Sequence, residues 1–179
     1  PIGNIQPDLL MSVTPSFTYK GFTLSALFDM KFGGDVVSVS EAIATSHGIS
    51  KRTEQRGELL LPGMNEDGTV NTQRIDAQLF YQAVGGRQQA VAEEFVYNAS
   101  FIRLKEISFG YSFPSLLLRK TPVSSLRVSF VGRNLAYLMK HTPGTSPEGG
   151  YDTSMFSQAL DFSSLPYSRT FGFSINVGF

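Results

Sequence analysis

The sequence predicts an all-β chain of antiparallel strands that cross a membrane as part of a β-barrel. Apolar residues alternate with small or polar residues over long stretches, and this alternation suits a strand with one face on lipid and one on a lumen. The connections between these stretches are short and long in turn, which is typical of outer-membrane barrels. No apolar run reaches the roughly 18–20 residues of a transmembrane helix, so only strands could cross a membrane.

The first two strands are predicted at residues 9–19 and 22–32. Lys20-Gly21 leaves only a near-minimal turn between them, which makes the pair an antiparallel hairpin. Pro15 interrupts the first strand. Proline within a strand ordinarily indicates an edge strand or a bulge.

Three more strands are predicted at residues 101–113, 126–134 and 167–179. In the last of them, large apolar residues occupy every second position and small or polar residues lie between them. The apolar set is Phe171, Phe173, Ile175, Val177 and Phe179. Its length matches the roughly 9–11 residues of a tilted membrane-spanning strand.

Charged residues on the opposite faces of these strands favour a hydrated lumen over a dry core, where unpaired charge is heavily penalised. The predicted lumen-facing residues are Asp29, Lys31, Arg127 and Arg133.

Two long connections, residues 33–100 and 135–166, are predicted to be extracellular loops. In the first loop, Ile75, Leu79 and Ala83 have helical spacing and predict a short helix. Phe80 and Tyr81 on this helix could stack on a sugar or pack under a partner protein. Local packing within the loop is favoured, because aromatic residues at helical spacing usually form a local core.

Composition excludes several classes. The 15 basic residues balance the 15 acidic ones, so a nucleic-acid-binding surface is not supported. The absence of cysteine excludes disulfides, zinc knuckles and a thiol nucleophile. The chain starts without a methionine or a leader, and five strands are too few to close a barrel. We therefore expect it to be part of a longer protein.

Several stretches together resemble the C-terminal end of the SusC/RagA family of TonB-linked outer-membrane proteins, over essentially the whole chain. They are Gly3-Asn-Ile-Gln-Pro-Asp8, Tyr19-Lys-Gly-Phe22, Thr53-Glu-Gln-Arg56, Ser100-Phe-Ile-Arg-Leu-Lys-Glu-Ile107, Gly132-Arg-Asn-Leu135, Ser146-Pro-Glu148 and Pro166-Tyr-Ser-Arg-Thr170. Each stretch alone is weak evidence, but their common order and spacing are specific.

This resemblance implies a barrel of about 22 strands, of which this chain supplies the last five, with the plug domain absent from it. It implies residence in the outer membrane of a Gram-negative bacterium and TonB-dependent import of oligosaccharides or peptides. The implied partners are a SusD-like surface lipoprotein that acts as a lid, TonB through the missing N-terminal part, and outer-membrane lipid. The resemblance also implies that the barrel-assembly machinery recognises the terminal apolar set as a targeting signal. The same residues can face lipid as well.

Three basic residues occupy positions that the alternation of their strands assigns to the outward, apolar face, just beyond the apolar band. They are Arg103, Lys105 and Arg169. One hypothesis is that they contact phosphates of the outer-leaflet lipid. The alternative is a strand twist or bulge that turns them elsewhere.

The remaining polar motifs are interpreted as solvated loops. Asn65-Glu-Asp-Gly68 matches a calcium loop only loosely and favours a polar turn. Glu148 and Asp152 are expected to be solvated charges. His47 and His141 lie in different loops without metal-ligand spacing, so neither a metal site nor a cofactor is predicted.

No motif marks a nucleophile, and the chain is predicted not to be an enzyme. A passive porin or a surface glycan-binding adhesin remains the alternative function. A barrel-embedded hydrolase is the least favoured.

Overall fold

The computed structural model describes residues 1–86, 90–144, 146–151, 154 and 157–179. The strands are β1 (Leu9–Val13), β2 (Ser16–Tyr19), β3 (Phe22–Phe32), β4 (Asp35–Ser38), β5 (Glu58–Leu60), β6 (Arg74–Asp76), β7 (Val96–Asn98), β8 (Phe101–Ser112), β9 (Ser125–Lys140), β10 (Leu160–Asp161) and β11 (Thr170–Gly178). The helices are α1 (Val39–Ser46), α2 (Ala77–Val84) and α3 (Ser115–Leu118), with 3₁₀ turns at Lys51–Thr53 and Ala92–Phe95. None of the helices in the described ranges is long and apolar enough to cross a membrane.

The chain divides into two compact units. The sheet unit comprises Gln6–Gly34, Ala99–His141 and Pro166–Phe179. The loop unit comprises Pro1–Ile5, Asp35–Asn98 and Thr142–Leu165. Asp152, predicted as a solvated charge in a loop, lies outside the described residues.

The sheet unit is built on a six-stranded sheet, as counted over the described ranges. Its strands follow the order β1-β3-β8-β9-β11, with β2 also pairing with β3, and every pairing is antiparallel. The two-residue turn predicted between β2 and β3 is confirmed. Lys20 and Gly21 have φ values of 47° and 87°, and two positive φ values suit a type I′ hairpin turn, whose twist matches that of the strands.

Two predicted strand boundaries need correction. The strand predicted at 9–19 is divided into β1 and β2, because Pro15 has no N–H for the ladder. The strand predicted at 126–134 runs on to Lys140 as β9. Asn134 has a φ of 54° and interrupts the alternation of the two faces, but the strand continues beyond it. The position predicted as the end of the strand is therefore a bulge within it. The other three strands begin and end within three residues of their predicted limits.

The sheet has one apolar and one polar face. In the half that carries the short turns, Leu24, Phe109, Phe130 and Phe173 follow one another directly across the four strands. Directly paired residues point to the same side of a sheet, so the apolar residues of β3, β8, β9 and β11 form one continuous surface. Large apolar residues of this surface are exposed, and Phe173 retains 79% of its accessible area.

The loop unit has a small core of its own. It contains the three-stranded sheet β10-β4-β7 and the hairpin β5-β6, together with α1 and α2. Its buried apolar residues are Val36, Ala42, Leu59, Ala77 and Phe95. The helix predicted around residues 76–84 is confirmed as α2, and Asp76 caps its N-terminus. The capping bonds donated by the N–H groups of Gln78 and Leu79 measure 2.8 and 3.1 Å.

Candidate functional sites in the sheet unit and the loop unit

A row of polar side chains crosses the polar face of the sheet. Ser12 on β1 pairs with Asp29 on β3, Asp29 pairs with Arg103 on β8, and Arg103 pairs with Tyr137 on β9. The Ser12 hydroxyl donates to Asp29 Oδ1 over 2.8 Å, and Arg103 Nη2 donates to Asp29 Oδ2 over 3.3 Å. We refer to these four residues with Lys105 as the Asp29 cluster.

Two basic side chains share the single carboxylate of this cluster. Lys105 Nζ lies 3.0 Å from the same Asp29 oxygen that Arg103 contacts. Arg103 is only 5% exposed, and its guanidinium carbon lies 5.9 Å from the Tyr137 ring centre and 5.1 Å from that of Tyr167. Aromatic faces stabilise a guanidinium by cation–π attraction, which compensates part of the loss of water around Arg103.

The structure corrects the predicted orientation of Arg103 and Lys105. Both were expected to face outward, but Arg103 lies on the polar face and Lys105 ion-pairs with Asp29 there. The cause is a bulge: Phe28 pairs with Leu104 and Leu27 with Glu106, so Lys105 is an extra residue in β8. One extra residue reverses the parity of the strand beyond it. The bulge was the alternative considered from the sequence.

The other predicted lumen-facing residues also lie on the polar face. Arg127 donates through Nε to Ser129 over 3.4 Å, and Arg133 Nε contacts Glu106 over 2.8 Å. Lys31 pairs in register with Phe101 of β8. Phe101 is two residues from Arg103 on the same strand, so Lys31 is on the same face of the sheet as Arg103. Their exposure to a water-filled lumen remains a prediction.

The terminal apolar set forms one edge of the apolar face. Phe171, Phe173, Ile175 and Val177 lie opposite apolar residues or Gly132 on β9, and Phe179 follows the strand with 89% exposure. Arg169 precedes β11 and is exposed. The roles proposed for these residues, a targeting signal for barrel assembly and a lipid contact, remain predictions.

A cleft of about 970 Å³ lies within the loop unit. Its walls come from the C-terminal end of α1, the stretch Arg56-Gly57, and α2. The lining combines a phenol ring, two amides, one acid and two basic groups, from Tyr81, Gln78, Gln82, Asp76, His47 and Arg56. We refer to it as the loop cleft.

The polar groups of the loop cleft are held by backbone contacts. Arg56 Nη2 donates to the Gly48 carbonyl over 2.7 Å, which fixes the guanidinium at the end of α1. His47 Nδ1 lies 2.8 Å from the Ile43 carbonyl oxygen. Since a carbonyl only accepts, this contact requires a proton on Nδ1. The cleft therefore presents donors and acceptors beside an aromatic ring, which suits a ligand rich in hydroxyl or amide groups.

Of the two aromatic residues selected from the sequence, only Tyr81 lines the loop cleft. Phe80 packs edge-on against Tyr81, with ring centres 5.5 Å apart. Sequence reasoning missed His47, Arg56 and Asp76 as cleft residues. A signal existed for α1, since Ser38 followed by Glu41 is a capping-box pattern and the Ser38 hydroxyl does accept from the Glu41 N–H.

The stretch Asn65–Gly68 is a polar turn, as the sequence favoured. The Gly68 N–H donates to the Asn65 carbonyl over 2.9 Å, and hydrogen bonds from the Thr69 hydroxyl and backbone lower the pKa of Asp67. No group of potential metal ligands occurs among the described residues.

Comparison with known proteins places this geometry in a class. No family model matches the chain. It is 29% identical over 183 residues to the TonB-dependent receptor P3 of Formosa agariphila, a match that covers 99% of this chain and 17% of that receptor. The chain thus spans about a sixth of this curated relative.

Solved structures give the same fold. The RagAB peptide importer in its open-open state matches with a TM-score of 0.64 and 19% identity, over 98% of this chain and 17% of that one. Its closed-closed state matches with a TM-score of 0.63 and 20% identity, over 96% and 17%.

The fold is that of a segment of a TonB-dependent outer-membrane β-barrel, as the sequence predicted. The predicted resemblance to the SusC/RagA family of TonB-linked outer-membrane proteins is confirmed, as is the predicted localisation in the outer membrane of a Gram-negative bacterium. The proteins matched are receptors and importers, which agrees with the expectation of no enzymatic activity. The total of about 22 strands and the C-terminal position within the barrel stay predictions.

Proposed function

We propose that this chain forms part of a TonB-dependent importer that carries oligosaccharides or peptides across the outer membrane. One observation carries the proposal: the sequence match to a TonB-dependent receptor extends over 99% of the chain. The fold shared with an importer of peptides supports it. In this role, the sheet unit contributes barrel wall, and the long connections contribute to the substrate chamber and the lid interface.

The loop cleft is the place in this chain where we propose that cargo is contacted. Tyr81 offers a ring face, while Gln78, Gln82 and Arg56 offer hydrogen-bond donors within the same 970 Å³ space. Sugars and peptides both present apolar surface next to hydroxyl or amide groups, so both fit this lining.

The polar face contributes to the permeation path under the same proposal. Its charged groups include Asp29, Arg103 and Lys105 of the Asp29 cluster and the pair Arg133–Glu106. Charges that remain hydrated or paired suit a water-filled lumen, whereas an unpaired charge in an apolar core would be penalised.

We propose a SusD-like surface lipoprotein as the partner of the full receptor and TonB as its source of energy, the latter acting through parts of the receptor other than this chain. The barrel-assembly machinery would read the terminal apolar set during insertion. These partners come from the family resemblance and from the loop architecture.

The test is uptake of cargo by cells that express the full receptor, with a labelled peptide digest and a labelled oligosaccharide mixture as probes. We expect accumulation that is lost without TonB and reduced by Tyr81→Ala or Arg56→Ala. Leu79→Ala is the matched control, because Leu79 lies on the same helix but is exposed and outside the cleft lining.

Two results would contradict the proposal. Accumulation that persists without TonB would make the barrel a passive porin. Surface binding of a probe without accumulation would make it an adhesin. Co-purification of a lipoprotein in near-equal amount with the native receptor tests the partner separately.

A further inference from the structure

The connection between β8 and β9 carries an apolar surface that no neighbouring element covers within the described residues. It runs over residues 113–124 and contains α3, where Leu116 and Leu117 are 71% and 66% exposed. Arg119 and Lys120 follow immediately and are also exposed. The other turn at this end of the sheet, Lys20-Gly21, needs only two residues, so the longer connection is not required for strand reversal.

This connection continues the apolar face of the sheet. Phe113 precedes α3 and packs edge-on against Tyr111, with ring centres 5.0 Å apart. Tyr111 in turn lies 4.5 Å from the Phe22 ring centre on β3. Aromatic residues at the end of a lipid-facing band mark the level of the membrane–water interface. The α3 leucines therefore start where the membrane surface meets the sheet.

We propose that the segment Leu116–Lys120 is an interfacial anchor that binds the phospholipid surface at the short-turn end of the barrel. Leu116 and Leu117 enter the boundary between headgroups and acyl chains, and Arg119 and Lys120 contact lipid phosphates. In the orientation that the family resemblance implies, this is the periplasmic leaflet. The proposal depends on the outer-membrane location but not on import, so it holds or fails independently of the cargo.

Two observations favour lipid over a protein as the occupant. Adjacent leucines followed by two cations match the amphipathic pattern of interfacial segments, whose basic residues are attracted to anionic headgroups. The surface is also continuous with the apolar face that lipid covers. A protein occupant would need its own complementary apolar and acidic patch at the same level.

A nitroxide label at Leu117→Cys in the full receptor tests the anchor. The 179 residues contain no cysteine, so the label is unique within this segment. The receptor is placed in nanodiscs of phosphatidylethanolamine and phosphatidylglycerol, and collisions with oxygen and with a water-soluble nickel chelate are measured. We expect the label to collide several-fold more with oxygen than with nickel. Ser115→Cys, on the same helix and exposed, is the control and should favour nickel.

Other results would overturn the proposal. If the label at Leu117 meets nickel as freely as the label at Ser115, the segment lies in water. If it is shielded from both reagents, in nanodiscs and in detergent alike, protein covers the surface instead.

The attraction of Arg119 and Lys120 to anionic headgroups has its own test. With Arg119→Gln and Lys120→Gln together, the label at Leu117 should become shallower in nanodiscs that contain phosphatidylglycerol and stay unchanged in pure phosphatidylcholine. An unchanged depth in both lipids would remove the cations from the proposal.

Discussion

The two units of this chain bury their residues in opposite ways. In the loop unit, Phe95 is 1% exposed and Val36 is 3% exposed, as in a small water-soluble domain. In the sheet unit, by contrast, Phe171 and Phe173 are 64% and 79% exposed, while the cation Arg103 is only 5% exposed. Burial of apolar surface from water drives folding in the first case. In the second, much of the large apolar surface stays exposed, which suits a wall of a membrane barrel, where backbone groups are satisfied between strands. A phenylalanine side chain is therefore expected to contribute differently to the free energy of unfolding in the two units.

Truncating the core of the loop unit should give the largest effect. Phe95→Ala removes a fully buried ring that also lies 5.0 Å below the Arg52 guanidinium. We expect the free energy of unfolding of this unit to fall by about 3–5 kcal/mol. Hydrogen exchange of its amides in the full receptor measures the loss. Leu79→Ala, at a residue that is 68% exposed, should leave exchange almost unchanged, and equal effects would contradict the soluble-domain description.

A cation on the apolar face should give the next largest effect. Phe173→Lys places a charge near the middle of β11, and we expect a cost of about 2–4 kcal/mol if that position is at the bilayer midplane. Ser174→Lys adds the same charge to the adjacent residue on the polar face, where water can solvate it. Urea-induced unfolding from phospholipid vesicles compares the two variants. Equal costs would mean that the two faces do not meet different solvents.

Within the polar face, the Asp29 cluster should matter more than the exposed ion pair. Asp29→Asn removes the carboxylate that contacts the nearly buried Arg103 guanidinium over 3.3 Å, and we expect a loss of about 1–3 kcal/mol. Glu106→Gln removes the partner of Arg133, whose side chain is 64% exposed, and about 0.2–1 kcal/mol is expected for such a pair. The same unfolding measurement compares them, and a larger loss from Glu106→Gln would refute the distinction.

The sheet was largely predictable from the sequence because its signal is local. Period-two alternation located β3 at Phe22–Phe32 with its observed bounds, and the turn residues gave the β2–β3 hairpin. What could not be predicted was the register change. From the sequence alone, Lys105 is one more residue of an alternating strand. Only its pairing with β3 shows that it is extra. The orientation of Arg103 was wrong for that reason alone.

The loop unit was less predictable because its contacts join distant residues. The Ser38 hydroxyl donates to Asp161 over 2.8 Å across 123 positions, and no local pattern specifies that partner. Only α2 and the polar turn at residues 65–68 were predicted, since spacing and turn composition act locally. The loop cleft depends on bringing α1, Arg56 and α2 together, so its lining could not be derived from a single stretch.

A modest effect is predicted for the cap of α2, where the loop unit should follow the rules that hold for helices of water-soluble proteins. Asp76 Oδ1 accepts the N–H groups of Gln78 and Leu79, and Asp76→Ala should destabilise the helix by about 0.5–2 kcal/mol. Asp76→Asn retains the acceptor oxygen and should lose only the attraction between charge and helix dipole, about 0.3–1 kcal/mol at most. Hydrogen exchange at α2 in the full receptor measures both.

The cap also links stability to the proposed cargo contact, because Asp76 and Tyr81 line the same cleft. If fraying of α2 moves Tyr81, Asp76→Ala should reduce uptake while Asp76→Asn largely preserves it. If both variants reduce uptake equally while only the alanine variant frays the helix, the Asp76 carboxylate itself contacts cargo. The asparagine variant therefore separates a side chain that positions the cleft from one that binds within it.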